Sequence, residues 1–341
     1  MNLVILGSGG IAHTHAQALQ NTKAFNLIGV CSNNPEQLRE FAQQYGIKAY
    51  NDFEQLLQDT DVHIVSVCTP SGLHAEQGKA IASVGKHVLM EKPIALTVPA
   101  AQELIKVCRE NQVFIGAFFQ RRLEEDVLSL KELIDSGKLG KVFHISLQMN
   151  WYRSPEYYAA GGWRGTWAMD GGGALMNQSI HYVDMICNLL GDPDNVFANA
   201  RTCMHNIEVD DLTMAIMQFK NGATCAYQVT TAAYPGFETR VDVYGTQGSA
   251  TMLNEKLMSI NTLNGESFKR EQTQSGAVST PTVAFDNHAK LYKSFAEKLA
   301  LDAEFDTYHA WELLRPNAVI SAIYKSSTEQ ALVYIDKVQD L

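Results

Sequence analysis

The chain lacks four features, and each absence argues against a class of protein. It has six cysteines but no Cys-x-x-Cys pair, which argues against a disulfide scaffold and favours reduced, buried thiols in a cytoplasmic protein. It has no uncharged apolar run of about 18 residues, so we expect a soluble protein without a membrane partner. It has no basic excess: Lys and Arg total 27 against 37 for Asp and Glu, and the net charge of −10 argues against nucleic acid as a partner. No targeting segment is expected, because no basic residue precedes Lys23.

The length and composition indicate a globular protein of two domains. With 341 residues, 46% hydrophobic and 19% charged, the chain is long enough to bury two separate cores. The residue pattern changes after about residue 120. Residues 1–120 are predicted to bind a dinucleotide, and residues 121–341 to bind the substrate and to form the oligomer. The last helices are expected to pack back on the first domain.

The first 120 residues alternate short apolar runs with helical segments. Apolar residues recur every three or four positions in the helical segments, whereas the short runs are rich in β-branched residues. This alternation indicates βαβ units and therefore a doubly wound parallel sheet. Strands are predicted at residues 3–6, 27–31, 64–68, 87–90 and 113–117, and helices at residues 12–19, 35–45, 74–84 and 98–110.

From residue 141 the pattern changes to strict alternation. Residues 143–151 alternate apolar and polar side chains, which is the period of a strand with one wet face. The runs at residues 212–219 and 223–230 flank Asn221 and Gly222, a pair that favours a two-residue hairpin turn. The second domain is therefore predicted to be α+β, built on a large open, mostly antiparallel sheet. Further strands are predicted at residues 240–244 and 249–253, and helices at residues 287–301 and 308–327, the last interrupted or kinked near Pro316.

A glycine-rich turn directly follows the first predicted strand. Gly7 allows a tight turn, Gly9 lets the backbone approach a pyrophosphate, and Ala12 keeps helix and strand close together. Free amides at the helix start, at Gly10 and Ile11, would face the anion. In a βαβ unit this pattern predicts a Rossmann domain that binds a dinucleotide. An ordinary glycine turn is the alternative.

The end of the second predicted strand bears on the choice between NAD and NADP. NAD-binding domains usually place an acidic residue there for the ribose 2′-hydroxyl, but Ser32, Asn33 and Asn34 follow instead. These side chains could donate to a 2′-phosphate, and Arg39 lies one helical turn further on. The sequence therefore slightly favours NADP. If these residues only cap the helix that starts at Pro35, NAD is left open.

Lys92 is the first candidate catalytic residue. It lies between an apolar strand and Pro93, and side chains at the carboxyl ends of parallel strands point into the ligand crevice. Beside an oxidised nicotinamide an ammonium group loses basicity, which suits a lysine for proton transfer near neutral pH. A solvated surface lysine is the alternative.

A run of three glycines precedes an apolar helix in the second half. The helix, predicted at residues 174–190, carries Asn177, His181 and Asp184 on one face. Glycines at residues 171–173 would let a ligand approach the backbone, and the positive helix end would keep His181 able to accept a proton. A satisfied core histidine is the alternative. A metal site is set aside, because Asn rather than Asp stands four residues before the histidine.

In combination these motifs resemble the Gfo/Idh/MocA family of NAD(P)-dependent oxidoreductases. The similarity runs over nearly the whole chain and rests on residues 7–12, 69–70, 91–93, 120–122 and 171–184. The resemblance implies an N-terminal Rossmann domain and a C-terminal α/β domain whose open sheet often serves oligomerisation. It also implies hydride transfer at a secondary alcohol of a sugar or cyclitol.

The resemblance assigns residues as well. It implies that Lys92 and His181 form the catalytic pair and that the Lys92–Pro93 peptide bond is cis. Asn177 stands where many members have Asp, which suits a hydrogen bond to substrate. Cofactor contacts are expected from Gly7, Gly9, Gly10, Ile11, Ala12, Ser32, Asn33, Asn34, Arg39, Thr69, Pro70, His74, Glu91, Lys92 and Gln120.

A narrower similarity connects the chain with the UDP-N-acetylglucosamine-uronate 3-dehydrogenase branch. It rests on residues 68–74, 153–158, 163–167 and 176–184. In that case the arginines would pair with a carboxylate or diphosphate, and the aromatic side chains would cover sugar faces, although either group could simply pack. Substrate contacts are expected from Lys92, Arg153, Tyr158, Trp163, Arg164, Asn177 and His181.

The sequence therefore predicts an NAD(P)-dependent oxidoreductase that moves hydride between nicotinamide and a sugar or nucleotide sugar. His181 would handle the hydroxyl proton, and Lys92 would orient and polarise the oxygen. Two alternatives stay open: an inositol or aldose dehydrogenase of the same family, and a non-catalytic NAD(P)-binding sensor or regulatory protein. A homodimer or homotetramer formed through the C-terminal sheet is expected, with no metal.

Overall fold

The computed structural model describes residues 1–160, 162–271, 285–301 and 307–335, with backbone alone for residues 307–309. These residues divide into two compact units. Unit 1 contains residues 1–120, 285–301 and 307–317, and unit 2 contains residues 121–271 and 318–335. No helix among the described residues has both the length and the apolar character to cross a lipid bilayer.

The elements alternate in type up to residue 135 and are mostly strands from residue 193 to residue 269. In chain order they are β1 (Asn2–Leu6), α1 (Gly10–Thr22), β2 (Asn26–Cys31), α2 (Pro35–Tyr45), β3 (Lys48–Tyr50), α3 (Phe53–Gln58), β4 (Ile64–Val67), α4 (His74–Ser83), β5 (His87–Met90), α5 (Val98–Glu110), β6 (Ile115–Ala117), α6 (Glu125–Asp135), β7 (Val142–Asn150), α7 (Pro155–Ala159), α8 (Ser179–Leu190), β8 (Pro193–Arg201), β9 (Leu212–Phe219), β10 (Thr224–Thr230), β11 (Arg240–Gly245), β12 (Gly248–Leu253), β13 (Lys256–Thr262), β14 (Ser267–Lys269), α9 (Asp286–Ala300), α10 (Thr307–Glu329) and β15 (Val333–Tyr334).

Unit 1 is built on a six-stranded parallel sheet, which confirms the doubly wound prediction. The strand order is β3-β2-β1-β4-β5-β6, and all neighbours pair in parallel. All four residues of β4 are buried, so both faces of this central strand are covered. Strands covered on both faces are continuous apolar runs, which is why the sequence pattern was readable. The ligand crevice of such a sheet lies at the carboxyl ends of its strands.

Two short elements of unit 1 were missed by the sequence analysis. β3 has three residues and α3 has six, so neither is long enough to show a clear period. Helix α1 extends beyond the predicted residues 12–19: it begins at Gly10 and ends in the polar residues 20–22, which carry no apolar signal. The last strand shortens from residues 113–117 to β6.

Two C-terminal helices contribute to unit 1. Helix α9 packs against α1 and buries His288, Tyr292 and Phe295. Helix α10 continues through Pro316 rather than being interrupted there, and its residues divide between the two units after Asn317. A loop with short strands was expected at residues 254–282. β13 and β14 lie in this segment, and residues 272–284 lie outside the described residues.

Unit 2 is built on a nine-stranded sheet in the order β14-β13-β12-β11-β7-β10-β9-β8-β15. β7 and β10 pair in parallel, and the other pairs of described strands are antiparallel, so the mostly antiparallel sheet is confirmed. One face packs on the helix of residues 174–190: the Tyr227 hydroxyl, for example, donates to the Ser179 carbonyl at 2.9 Å. The opposite face exposes apolar side chains, including Phe197, Met214 and Ile216.

The hairpin between β9 and β10 differs from its prediction. The Phe219 amide donates to the Ala223 carbonyl, and the Gly222 amide donates to the Phe219 carbonyl, so the loop has three residues rather than two. Of these, Gly222 has a positive φ of 87°. The Asn221 side chain accepts from the Ala223 amide instead of supplying a second positive φ. A turn ending in one left-handed glycine is the common three-residue solution.

All six cysteines lie among the described residues, and all are free thiols. Cys203 is exposed, and the other five are buried. The expectation of unpaired thiols that pack as small apolar side chains is met at those five positions.

Candidate active site

The glycine-rich turn after β1 has the shape that a dinucleotide needs. Gly7 has a φ of +112°, and a Cβ there would lie 2.6 Å from the Cys68 carbonyl oxygen, so only glycine fits. A Cβ on Gly9 or Gly10 would instead meet open space. Gly9 caps α1 without a side-chain hydrogen bond, and the first turn of α1 holds no acidic residue. The positive end of α1 therefore adjoins open space, which fits a pyrophosphate.

The residues after β2 mostly serve local structure. The Asn34 side chain accepts from the amides of Glu36 and Gln37 and so caps α2, as the alternative interpretation held. Ser8 donates to Ser32 at 2.8 Å, and Arg39 donates from Nε to the Pro35 carbonyl. Asn33 is exposed. The cap uses the side-chain oxygen of Asn34, so the NH₂ group of the same side chain is still able to donate.

The negative charge of an acidic residue that follows the neighbouring strand affects the end of β2. β3 pairs in parallel with β2, and Asp52 follows β3 as the N-cap of α3. Burial first, and the charge of Asp52 second, raise the pKa of Cys31 to about 11. Asp52 was missed because β3 was missed. Its carboxylate counts against a 2′-phosphate in this region.

His74 ties two strand ends of unit 1 together. Its Nδ1 lies 2.6 Å from the Pro93 carbonyl and its Nε2 lies 2.8 Å from the Thr69 carbonyl, and the side chain is buried. Burial lowers the pKa of His74, and the two carbonyls oppose that shift. Thr69 and Pro70 are half-buried, and Thr69 donates to Gln77. His74 thus holds the loops that follow β4 and β5, and its contact with a cofactor stays a prediction.

The loop after β5 carries the candidate lysine. The Lys92–Pro93 peptide bond is cis, as predicted. Lys92 is half-buried, whereas Glu91 is buried, with its carboxylate on His15 and His288. Gln120 is half-buried as well, and its Oε1 is buried without a hydrogen-bond partner among the described residues. An unsatisfied buried acceptor at the end of unit 1 fits a donor from a ligand.

In unit 2 the glycine run serves a contact within the protein. The Gly173 and Leu175 amides donate to the two carboxylate oxygens of Asp210 at 3.0 and 2.9 Å, and the Ala174 amide donates to the Asp210 carbonyl. The helix starts with a π-helical turn, Ala174–Gln178, before α8. We expected a ligand to approach the backbone here. Asp210 takes that place, because a carboxylate satisfies the free amides and the positive end of the helix.

The polar face of that helix is held by partners on both sides. The Asn177 side-chain amide donates to the Asp170 carboxylate. A carboxylate is therefore present next to position 177, the position at which many family members have Asp. Asp184 is fully buried and forms an ion pair with Arg122. His181 is 7% exposed. Lys92 lies in unit 1 and His181 in unit 2, and their pairing stays a prediction.

Two of the predicted sugar-binding residues of unit 2, Arg153 and Arg164, contact the same aromatic ring. Arg153 donates from Nε and Nη2 to Gln178, and its guanidinium lies over the rings of Trp151 and Tyr157. Arg164 lies over Tyr157 as well, 4.6 Å from the ring centre. Burial lowers the pKa of Arg153, and the positive charge of Arg164 acts in the same direction. Two guanidinium groups thus share one aromatic ring and repel each other.

Matches to family models cover both halves of the chain. Residues 1–119 match the oxidoreductase family with an NAD-binding Rossmann fold, and residues 127–251 match the GFO/IDH/MocA C-terminal domain. The chain belongs to the Gfo/Idh/MocA family. The sequence-based predictions of family, fold class and oxidoreductase activity are thereby confirmed. NAD binding by the first domain is the family's description, and it agrees with the glycine turn.

Relatives with named activities align over most of the chain. The myo-inositol 2-dehydrogenase of Thermotoga maritima is 26% identical over 73% of this chain and 74% of its own length. The levoglucosan dehydrogenase of Pseudarthrobacter phenanthrenivorans is 25% identical over 75% of this chain and 74% of its own. The WlbA dehydrogenase of Bordetella pertussis, solved with NADH and UDP-GlcNAcA, is 27% identical, with a TM-score of 0.87 over 98% of both chains. Hydride transfer at the alcohol of a sugar, the predicted function, fits these Gfo/Idh/MocA relatives.

Several residues of this Gfo/Idh/MocA chain that shape the site were missed by the sequence analysis. Gln178 links Arg153 to the Tyr157 hydroxyl, and Asp211 holds the loop whose His205 contacts the Arg153 carbonyl at 2.8 Å. Gln178 lies in the motif that was singled out, so its position could have been read. The Asp211 contacts lie within the irregular loop between β8 and β9, where no apolar period marks them.

Proposed function

We propose that this chain oxidises a ring hydroxyl of an acidic or nucleotide-linked sugar, or reduces the matching ketone. The observation that carries the proposal is the pair of guanidinium groups on Tyr157. In a protein of net charge −10, long-range attraction does not draw in an anion, so a local cluster of cations is needed to hold one. A carboxylate or diphosphate between Arg153 and Arg164 would remove their repulsion and accept from both.

The uronate branch supports the choice of ligand. The WlbA relative was solved with NADH and UDP-GlcNAcA, a nucleotide sugar that carries a carboxylate. Arg153 is held from three sides, by Gln178, Trp151 and Tyr157, so its guanidinium is already ordered before a ligand arrives. A pre-ordered cation loses little entropy on binding. Trp163 and Tyr158 would border the sugar; Tyr158 is held by a 2.8 Å hydrogen bond to Thr231.

The proposed chemistry is a balanced exchange of hydride and proton. A bound nicotinamide would supply the acceptor for the hydride that leaves the carbinol carbon. The His181 imidazole accepts the proton of the substrate hydroxyl as the carbonyl forms. The Lys92 ammonium stabilises the negative charge that develops on the substrate oxygen. Asn177 would donate to a neighbouring hydroxyl, held in place by Asp170. In the reverse direction the same groups return the proton.

Cofactor choice is proposed on the residues after β2. The donors of Ser32, Asn34 and Arg39 still favour NADP slightly, whereas Asp52 and the NADH bound in the WlbA relative favour NAD. We propose that both are used and that Asp52 limits the preference for NADP. Asp52→Asn should then raise kcat/KM for NADP relative to NAD severalfold.

The oligomeric state and the cellular compartment of the protein are proposed from two further observations. The open face of the unit 2 sheet exposes Phe197, Met214 and Ile216, and an apolar face of this kind fits a homodimer or homotetramer. The free cysteines fit a reducing cytoplasm.

Turnover on matched sugars tests the proposed substrate. NAD reduction would be followed at the nicotinamide absorbance band with a UDP-linked uronate, the UDP sugar without the carboxylate, free glucose and myo-inositol. We expect the acidic nucleotide sugar to give the highest kcat/KM, and Arg153→Met to raise its KM by about tenfold or more. Higher kcat/KM on inositol or glucose, with KM unchanged in Arg153→Met, would favour the inositol or aldose dehydrogenase alternative.

A further inference from the structure

The carboxylate of Glu91 is the centre of a buried polar network in unit 1. Its Oε1 lies 3.0 Å from His15 Nε2 and 3.4 Å from His288 Nε2. Its Oε2 accepts from the Lys92 amide at 3.0 Å. His15 and His288 are fully buried and come from α1 and α9, so one carboxylate joins both helices to the loop after β5.

The donors and acceptors of this network form a consistent chain. His15 Nδ1 lies 2.7 Å from the Tyr292 hydroxyl, which lies 2.9 Å from the Ser66 hydroxyl. If Ser66 donates to Tyr292 and Tyr292 donates to Nδ1, the proton of His15 lies on Nε2 and points at Glu91. His288 Nδ1 is buried without a hydrogen-bond partner among the described residues, so a proton there would be unsatisfied. The proton of His288 therefore also lies on Nε2.

The network holds Glu91 in its charged form. Burial works against the charge, but the hydrogen bonds from His15 and His288 outweigh it and hold the pKa of Glu91 well below its usual range. Burial lowers the pKa of His15, with Glu91 opposing. The ionised carboxylate offers two acceptor oxygens and no donor. Both oxygens are used, one on the imidazoles and one on the Lys92 backbone.

We propose that Glu91 is a positioning residue: clamped by His15 and His288, its carboxylate fixes the Lys92 backbone and so aims the lysine side chain. The inference rests on the proposed function, in which Lys92 stabilises the substrate oxygen. It differs from the sequence-based expectation that Glu91 touches the cofactor. It also links two helices to the lysine, because α1 begins at the glycine turn and α9 supplies the second imidazole.

A glutamine at position 91 separates positioning from simple packing. Glutamine has nearly the same shape but only one acceptor oxygen. With that oxygen on the imidazoles, its NH₂ group faces the Lys92 amide, and two donors repel. With that oxygen on the Lys92 amide, the NH₂ group faces His288 Nε2, and the His288 proton would have to move to the unsatisfied Nδ1. In neither orientation are all the groups satisfied.

The first measurement needs no substrate. In the NAD-saturated wild-type enzyme, ¹H–¹⁵N spectra should show a downfield, slowly exchanging Lys92 amide proton. In Glu91→Gln the signal should move upfield or exchange at least about tenfold faster. A wild-type Lys92 amide that exchanges like an exposed amide would overturn the proposal, whatever the variant does. This result is independent of whether Lys92 takes part in turnover.

The second measurement uses activity, with Lys86→Met as the matched control. Lys86 is also buried in unit 1, and it donates to the Asp59 and Val62 carbonyls, outside the network. We expect Glu91→Gln to lower kcat about ten- to hundredfold with the Kd for NADH changed less than threefold. Lys86→Met should lower the melting temperature but keep kcat within twofold, measured below both melting temperatures.

Equal loss of kcat in Glu91→Gln and Lys86→Met at matched stability would reduce Glu91 to a structural role. If Glu91→Gln does not fold, Glu91→Asp replaces it, because the shorter side chain cannot reach the imidazoles and the Lys92 amide together. Unchanged kcat in folded Glu91→Gln or folded Glu91→Asp overturns the proposal. Failure of the proposed function is recognised separately, by full turnover in Lys92→Ala.

Discussion

Gly173 and Asp210 are in direct contact: the Gly173 amide donates to Asp210 Oδ1 at 3.0 Å, and a Cβ on Gly173 would lie 1.8 Å from the Asp210 carbonyl oxygen. The glycine is therefore required by the backbone of a neighbouring segment. Tyr324 donates to the same carboxylate, and Thr213 donates to its other oxygen. Asp210 thus joins the start of the candidate catalytic helix to β9 and α10.

Gly173→Ala should destabilise unit 2 by about 3 kcal/mol or more, because the added methyl group overlaps backbone rather than a flexible side chain. Chemical denaturation followed by tryptophan fluorescence measures the change. Gly10→Ala is the control for stability, since its Cβ meets open space. Equal stability of the two variants would contradict the close contact.

Alanine substitutions at two glycines of the first turn should have different effects, one on NADH binding and the other on stability. Gly9→Ala places its methyl group in open space, so the melting temperature should stay within a few degrees while NADH binds about tenfold or more weakly. Gly7→Ala meets the Cys68 carbonyl at 2.6 Å with a positive φ, so it should lower the melting temperature itself. NADH fluorescence titration and thermal melting measure both. Unchanged NADH affinity in Gly9→Ala would remove the pyrophosphate from this turn.

Lys92→Ala should keep NADH affinity and lower turnover by about a hundredfold or more, because the developing charge on the substrate oxygen loses its cation. Lys79→Ala is the matched control: this lysine pairs with Glu76 and Glu103 on the helices of unit 1. Steady-state rates and fluorescence titration are the measurements. Full turnover without the Lys92 ammonium would remove it from the mechanism.

Asp211 should stabilise unit 2 in a pH-dependent way. Burial opposes its charge, but amides including those of His205 and Cys203, together with the Cys203 side chain, lower its pKa to about 2. Since the folded pKa lies below the unfolded value of about 4, the stabilisation is full above pH 4 and is lost as the pH falls toward 2. Its size is about 2 kcal/mol.

Asp211→Asn should therefore lose about 3 kcal/mol at pH 7, where a carboxylate acceptor is replaced by an amide, and less at pH 3. Urea unfolding at the two pH values gives the comparison. The same loss at both pH values would show that the charge of Asp211 does not contribute.

The exposed sheet face should mediate self-association. Ile216→Lys places a charge at a side chain that is 58% exposed on β9, and it should shift the protein to a smaller species. Leu263→Lys is the control, because Leu263 is 79% exposed just after β13 and lies outside that face. Light scattering after size exclusion measures the mass. A monomeric wild-type protein, or an unchanged mass in Ile216→Lys, would contradict the proposed interface.

Local patterns predicted most of the elements but few of their contacts. The glycine turn, the buried strands and the alternation at residues 143–151 are each set by neighbours in the chain, so the sequence showed them. β3 and α3 were missed because each is too short to show a period. Because β3 was missed, Asp52, the acidic residue whose charge affects Cys31 at the end of β2, was missed as well.

Side-chain roles depended on partners distant in the chain. Nothing near Glu91 indicates that His15 and His288 bind its carboxylate, and nothing near the three glycines indicates Asp210. In both cases a group expected to face a ligand faces the protein. A buried carboxylate requires donors, and the fold supplies them from other elements.

The sequence alone determined the class of fold, the dinucleotide turn and the identity of the candidate catalytic lysine and histidine, because each depends on residue types at fixed local spacing. Tertiary structure decided which polar groups are already satisfied. Hydrogen bonding acts over about 3 Å, and the partners of Glu91, Arg153 and Asp210 reach that distance only after the chain has folded.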